Sequence, residues 1–204
     1  MCSLKDINLH ENISFIGVNA FYYCTALTKI NLTSNITQLD YAFKNCFNLS
    51  DVYYHGTLED WCKITFTKKN SNPMATAKHF YMKNAEGEWE ELIDFVIPES
   101  VKKIKDYAFA GFSSIKTLTV HKNIKSFGTS AFEDCKSLKT VYYYGAVKDR
   151  KSKELNKVLD TKSIKKFYVL KDDECVNDYD TLKSEGPTLG DGDGTGGLTL
   201  PNKG

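Results

Sequence analysis

Apolar side chains recur along this chain in a frame that repeats about every 22 or 23 residues. One copy consists of Leu27, Ile30, Leu32, Ile36, Leu39, Ala42, Phe43 and Cys46. The same frame starts again at Leu4, Leu92 and Ile115. A unit this short cannot bury its apolar side by itself and must stack on copies of itself, so the pattern predicts a solenoid.

Each part of the frame predicts a local structure. The Leu-x-x-Ile-x-Leu part alternates between core and solvent and predicts a short strand. The following Ile-x-x-Ile part predicts a second extended run on the opposite wall. Ala-Phe-x-x-Cys predicts one helical or 3₁₀ turn that returns the chain to the next strand. Eight strands are expected, with first core residues Leu4, Leu27, Leu49, Ala77, Leu92, Ile115, Leu138 and Ile164.

A longer period divides these strands into two tandem blocks. Matched strands of the blocks lie 87 to 89 residues apart, and each block contains a strand written Val-Tyr-Tyr-x-Gly, at Val52–Gly56 and Val141–Gly145. We therefore predict one solenoid domain over residues 1–170, in blocks of about 4–91 and 92–170. A C-terminal cap is expected over 171–185 and a flexible Gly-rich linker over 186–204. The Asp191-Gly-Asp193-Gly stretch lacks the later ligands of a calcium loop.

These motifs resemble the BspA-like leucine-rich repeats of bacterial and protozoan surface proteins. The resemblance covers about residues 4–170 and includes Val52–Ile64 with Trp61, Phe80–Trp89, and Ile97-Pro-Glu-Ser-Val. The second block departs from it, having Ala146–Arg150 where the first has the Trp61 segment. The resemblance implies an α/β leucine-rich-repeat solenoid with a right-handed, mostly parallel sheet of about eight strands and short helical or 3₁₀ turns opposite.

The same resemblance implies a non-catalytic binding or adhesion module of a cell-surface or secreted protein. Its partner would be a protein or a glycan, bound on the exposed sheet face. A passive spacer or stalk, or an accessory module of a larger surface enzyme, are the alternatives. Met1 enters a repeat strand almost at once, so we expect no signal peptide here and a fragment of a longer protein.

Composition narrows the choice of partner. The chain has 27 basic and 26 acidic residues, a net charge of +1, so it carries no field that would steer nucleic acid. No apolar run is long enough to insert into a membrane. The motifs of hydrolases, phosphate-binding loops and zinc peptidases are missing, so we expect no enzyme and no cofactor. A monomer is expected.

Cysteine and histidine offer little chemistry. Cys24, Cys46 and Cys135 share the frame position that Phe112 also fills, which favours buried reduced thiols over a Cys24–Cys46 disulfide. His10, His55 and His121 share one register on the outer face, but the strands that carry them are separated by about 10 Å or more. We therefore expect no metal site.

Tyrosines on the outward side of the strands are the remaining candidates. Tyrosine combines contact area, a hydroxyl group and low rotamer entropy, although it also forms strands well and stacks across neighbouring coils. Trp61 and Trp89 are either anchors over the coil or exposed contacts. The candidate partner-binding residues are Tyr53, His55, Tyr81, Thr119, His121, Tyr142, Tyr144 and Tyr168.

Overall fold

The structure is a computed structural model that describes residues 2–145, 164–171 and 174–177. Eight strands form the main wall: β1 (Asp6–Asn8), β3 (Lys29–Leu32), β5 (Asp51–Tyr54), β7 (His79–Lys83), β9 (Asp94–Val96), β11 (Thr117–Val120), β13 (Thr140–Tyr143) and β14 (Lys166–Lys171). Five short strands form a second wall: β2 (Phe15–Ile16), β4 (Gln38–Leu39), β6 (Thr65–Phe66), β10 (Lys103–Ile104) and β12 (Ser126–Phe127). The remaining elements are helix α1 (Leu58–Lys63), 3₁₀ segments Lys69–Ser71 and Pro73–Ala75, β8 (Trp89–Glu91) and β15 (Glu174–Asn177).

The solenoid and its eight predicted main-wall strands are confirmed. The strands pair in parallel and in register, so that Ile7, Ile30, Val52 and Phe80 form one row and Phe95, Leu118, Val141 and Phe167 another. Buried and partly exposed residues alternate along β3, β5, β11 and β13. The alternation follows from the period of two in a strand, which sends every second side chain into the coil.

The expectation that the eight strands share one sheet is wrong. The main wall consists of two five-stranded sheets, in the orders β1-β3-β5-β7-β8 and β15-β14-β13-β11-β9. β8 pairs antiparallel with β7 and takes the edge at which β9 would otherwise add. The open face is therefore divided at the boundary between the two sequence blocks.

The predicted helical turn at Ala-Phe-x-x-Cys is also wrong. The chain makes consecutive hydrogen-bonded turns there, and the residue before each Ala and the residue before each Cys or Phe112 have positive φ. They are Asn19, Tyr23, Tyr41, Asn45, Tyr107, Gly111, Ser130 and Asp134, with φ between 47° and 83°. A residue in the left-handed region cannot continue a right-handed helix.

Backbone hydrogen bonds join these turns between neighbouring coils. Phe21 N donates to Ala42 O and Phe109 N donates to Ala131 O. The thiols of the cysteine position add to this, since Cys46 Sγ donates to Phe21 O at 3.0 Å and Cys135 Sγ to Phe109 O at 3.2 Å. Cysteine is thus more than an apolar filler: it hydrogen-bonds the coil before it.

Aromatic rings fill the centre of the coil beside these turns. Phe43, Phe109 and Phe132 are buried as predicted, and the stacked pairs Phe21–Phe43 and Phe109–Phe132 have centroids 5.3 and 5.4 Å apart. Phe21 is only partly buried because the first coil has a neighbouring coil on one side only.

The segment 57–77 joins the two blocks in place of a regular turn. Trp61 is fully buried, and its Nε1 donates to Ala108 O at 2.8 Å. Asn72 Nδ2 donates to Tyr107 O and Ala108 O, both at 3.0 Å. These side-chain donors replace the backbone N–H groups that a preceding regular turn would offer. Trp61 is therefore the anchor at the block junction.

Ser71 forms a hydrogen bond to the first block on the other side of the same junction. Its Oγ accepts the backbone N–H of Tyr41 at 3.0 Å, where a regular following turn would offer a carbonyl. Ser71 and Asn72 are 0% and 1% exposed. Because both are hydrogen-bonded, their burial does not leave polar groups without partners.

The glycine of Val-Tyr-Tyr-x-Gly has a packing role in both blocks. A Cβ on Gly56 would lie 2.6 Å from Tyr54 Oη, and one on Gly145 would lie 2.3 Å from Tyr143 Oη. The second tyrosine of the motif is buried in each case. Glycine is required because the tyrosine ring lies directly against the backbone at that point.

Candidate functional site

The outward face of the first sheet carries an aromatic cluster of Tyr53, Tyr81, Trp89 and His55, called here the Trp89 cluster. Tyr53 and Tyr81 are partners in the β5–β7 register and stack with centroids 4.7 Å apart. Trp89 packs edge to face with Tyr53 at 5.0 Å and with His55 at 4.8 Å. Three of the predicted candidates, Tyr53, His55 and Tyr81, are thus brought together.

Trp89 was not among the predicted site residues, although it keeps 37% of its surface exposed. It reaches the cluster because the chain turns back after β7 through a tight hairpin. Asn84 Oδ1 accepts the N–H groups of Glu86 and Glu88, and Gly87 has φ +83°. The signal for this hairpin is the Asn-Ala-Glu-Gly sequence between two extended runs.

Charged groups surround the cluster in nearly balanced numbers. Lys29 Nζ lies 5.8 Å from the Tyr53 centroid and Lys83 Nζ 5.6 Å from the Trp89 centroid, both cation–π distances. His79 Nδ1 lies 2.8 Å from Glu91 Oε1. In the register of the sheet Lys29 lies between Asp6 and Asp51.

Burial affects the titration of two cluster members. Desolvation, helped by the charge of Lys83, lowers the pKa of His55, so its imidazole is more readily neutral. Desolvation, with the nearby carboxylate of Asp51, raises the pKa of Tyr81, which keeps its hydroxyl protonated. His55 and Tyr81 are thus the members of the cluster that offer neutral hydrogen-bonding groups, beside the cations of Lys29 and Lys83.

A cleft of about 530 Å³ continues the cluster toward the first coil. It is lined by Asn8, Leu9, His10, Glu11, Asn31, Thr33 and His55. His55 is common to both features, since it lines the cleft and contacts Trp89. Thr33 Oγ1 is buried in the cleft lining and has no hydrogen-bond partner in the part of the chain that the structure describes.

The second sheet carries the other candidates, and two of them are not exposed. Tyr168 is only 5% exposed, because β14 has a paired strand on each edge and the ring stacks on Tyr142 at 5.0 Å. His121 is only 8% exposed. Their assignment to an exposed face is wrong. Thr119, Tyr142 and Tyr144 are partly exposed on this sheet.

The segment 98–102 lies close to the His121 ring and accounts for its burial. The ring also closes a turn, as the ring of the exposed His10 does. The backbone N–H of Asn123 donates to His121 Nδ1 at 3.1 Å, and that of Asn12 donates to His10 Nδ1 at the same distance. Both stretches read His-x-Asn-Ile. Desolvation lowers the pKa of His121, which favours the neutral ring that this hydrogen bond needs.

In the part of the chain that the structure describes, the side chains form no metal-binding group, and four of the cysteine thiols are buried. No group of three His, Cys, Asp or Glu side chains in that part lies close enough to hold an ion. Cys24, Cys46, Cys62 and Cys135 are buried free thiols. Burial raises the pKa of Cys24 and of Cys62 to about 12, so both are protonated. No helix in the described residues has the length and apolar character of a membrane span.

Comparison with known proteins agrees with this architecture. A family model described as "BspA type Leucine rich repeat region" matches residues 1–77 and 87–171 as six copies. No curated protein matches the chain. The chain is similar to a leucine-rich repeat protein from Bacteroides ovatus ATCC 8483, with 19% identity over 82% of this chain and 43% of that one, and a TM-score of 0.43.

A second solved structure has a comparable match. It is a leucine rich cell surface protein from Faecalibacterium prausnitzii A2-165, with 18% identity over 70% of this chain and 48% of that one, and a TM-score of 0.28. The present chain thus spans less than half the length of either protein.

Proposed function

Because the chain belongs to the BspA-type leucine-rich repeat family, we propose that it is a non-catalytic binding module of a cell-surface or secreted repeat protein. The partner is a protein or a glycan, and it binds on the sheet face of the first block. Membership of a repeat family supports an interaction role and a location at the cell surface. The solenoid supports it physically, because stacked coils present an extended face on a rigid scaffold.

The observation that carries this proposal is the Trp89 cluster. Trp89 is large, apolar and 37% exposed, yet it lies among charged and polar side chains on a paired strand. Exposed aromatic residues surrounded by polar ones are typical of recognition sites, where they supply contact area at a low entropic cost. β7 and β8 hold the cluster rigidly, so little order has to be gained on binding.

A spacer or stalk is the competing function, and one experiment separates the two. The immobilised chain is exposed to purified matrix proteins and to a glycan array, and retained partners are measured again with Tyr81→Ala. We expect a retained partner whose affinity falls about tenfold in the variant. Tyr22→Ala is the matched control, since Tyr22 is an exposed tyrosine outside the sheet, 47% exposed. A stalk retains nothing, and equal retention by all three chains would also refute the proposed site.

A further inference from the structure

We infer that the first sheet binds a neutral oligosaccharide, which lies across the cleft and reaches the Trp89 cluster. This inference rests on the proposed function and names the ligand of that same face. A sugar ring has an apolar C–H surface and a rim of hydroxyl groups. Its site therefore needs an exposed aromatic ring directly beside uncharged donors and acceptors.

The face meets both requirements in one continuous surface. Trp89 supplies the aromatic ring, and His55, 4.8 Å from it, also lines the cleft. The cleft then offers the side-chain amides of Asn8 and Asn31, neighbours in the β1–β3 register. Adjacent strands are about 4.8 Å apart, so β1 to β7 alone gives a surface about 14 Å long. That length suits a short chain of sugar rings rather than a single one.

Thr33 and His10 add further polar groups to the lining of the cleft. The hydroxyl oxygen of Thr33 is buried and has no hydrogen-bond partner among the described residues. A buried hydroxyl without a partner is unfavourable. Rotation of the Thr33 side chain about χ1 would bring this hydroxyl into the cleft, where a ligand hydroxyl group would satisfy it. Of His10, which also lines the cleft, Nδ1 already accepts a backbone N–H, so Nε2 is the nitrogen that bears the proton and can donate.

The electrostatics favour a neutral ligand over an acidic one. Lys29 lies between Asp6 and Asp51 across the sheet, and His79 is paired with Glu91. The cation over the Tyr53 ring is thus flanked by two carboxylates, and the chain as a whole has a net charge of only +1. A site for sulfated or sialylated glycans would need unbalanced positive charge.

The composition of the face also favours a glycan over a protein. The outward residues of β1, β3, β5 and β7 are all polar, charged or aromatic: Asp6, Asn8, Lys29, Asn31, Asp51, Tyr53, His79, Tyr81 and Lys83. The centre of a protein–protein interface is depleted in charged residues and enriched in apolar ones. On this face, charged groups, amides and aromatic rings instead follow one another from strand to strand.

The test begins with a glycan array that carries neutral oligosaccharides beside sialylated, sulfated and uronate-containing ones. The best neutral glycan is then titrated while tryptophan emission is recorded. Trp61 is fully buried and hydrogen-bonded, so a change in emission on binding reports Trp89. We expect binding that changes little when NaCl rises from about 50 to about 500 mM, because a neutral ligand has no charge to screen.

Two variants on the face and two controls locate the site. Trp89→Ala should weaken binding about tenfold or more, and Asn31→Ala about fivefold. Tyr22→Ala and Asn70→Ala replace exposed residues of the same or a similar type outside the sheet, and both should bind within about twofold of the original chain. Thermal unfolding of each variant checks that the fold is retained, and Asn31→Ala serves if Trp89→Ala does not fold.

Three results would overturn the inference. They are an array that binds only acidic glycans, neutral binding that survives both Trp89→Ala and Asn31→Ala, and an array without any binding. If the array is blank but a matrix protein is retained and lost with Trp89→Ala, the partner is a protein and the proposed function stands. If no partner of either kind is retained, the proposed function fails as well.

Discussion

The junction between the two blocks gives a quantitative prediction, because two side chains share one acceptor there. Trp61 Nε1 and Asn72 Nδ2 both donate to Ala108 O, at 2.8 and 3.0 Å. Trp61→Phe removes one donor and part of a buried ring, and we expect a loss of about 1–3 kcal/mol in the free energy of unfolding. Asn72→Ala removes three hydrogen bonds, two donated and one accepted from Met74 N, which predicts a loss of about 2–4 kcal/mol.

The double variant should be less stable than the sum of the single losses indicates. Each single variant leaves Ala108 O one side-chain donor, whereas the double variant leaves it none. A buried acceptor that loses its partners costs about 1–3 kcal/mol, and this is the expected coupling energy.

Urea unfolding followed by circular dichroism measures the cycle without depending on tryptophan emission. An unchanged m value allows the midpoints to be converted directly into free energies. Trp89→Phe combined with Asn72→Ala is the control pair, since Trp89 lies outside the junction. That pair should add within about 0.5 kcal/mol. The same additivity for Trp61→Phe and Asn72→Ala would refute the shared acceptor as the link between the blocks.

Three further predictions concern the core and one turn. Phe109→Ala should lower the free energy of unfolding by about 3–5 kcal/mol, because Phe109 is fully buried; a loss below about 1 kcal/mol would contradict its place in the core. Tyr54→Phe should leave the free energy of unfolding unchanged or raise it by up to about 1 kcal/mol, since the buried Tyr54 hydroxyl has no hydrogen-bond partner among the described residues; a clear loss would reveal a partner. Because the pKa of His121 is lowered in the folded state, its contribution to stability is present above the unfolded pKa near 6.5 and lost as pH falls through the folded pKa. His121→Asn keeps a side chain that can accept the Asn123 N–H and should flatten melting temperature against pH below 6.5, whereas an unchanged slope would remove His121 as its source.

The repeat frame was enough to predict the solenoid, its eight main-wall strands and their buried rows. Each copy carries its own period-two strand and its own apolar positions, so burial of Ile30 or Leu118 follows from local pattern and from stacking of similar copies. The positions of the second-wall strands that contain Ile16 and Ile104 could be predicted for the same reason. The 186–204 linker and the second excursion near Ala146 lie outside the described residues.

The turn conformation could not be predicted from the spacing. A spacing of three between Phe and Cys suits a 3₁₀ turn equally well, and aromatic residues such as Tyr41 and Tyr107 rarely adopt positive φ. Contacts with neighbouring coils determine the turn conformation. Hydrogen bonds such as Phe109 N to Ala131 O require the N–H and carbonyl directions that the positive-φ turn provides. Hydrogen bonds between stacked coils therefore override the backbone preference of a single residue.

The repeat pattern was sufficient to predict the coil, the side of each main strand that is buried, and the position of Tyr53, His55 and Tyr81 on one face. The contact of Trp89 with these residues and the burial of His121 and Tyr168 depend on tertiary packing, which the pattern does not encode. The physical reason is that outward exposure depends on what packs over a residue. β8 folds back to bring Trp89 onto the face. The segment 98–102 lies against His121, and a second paired strand encloses Tyr168.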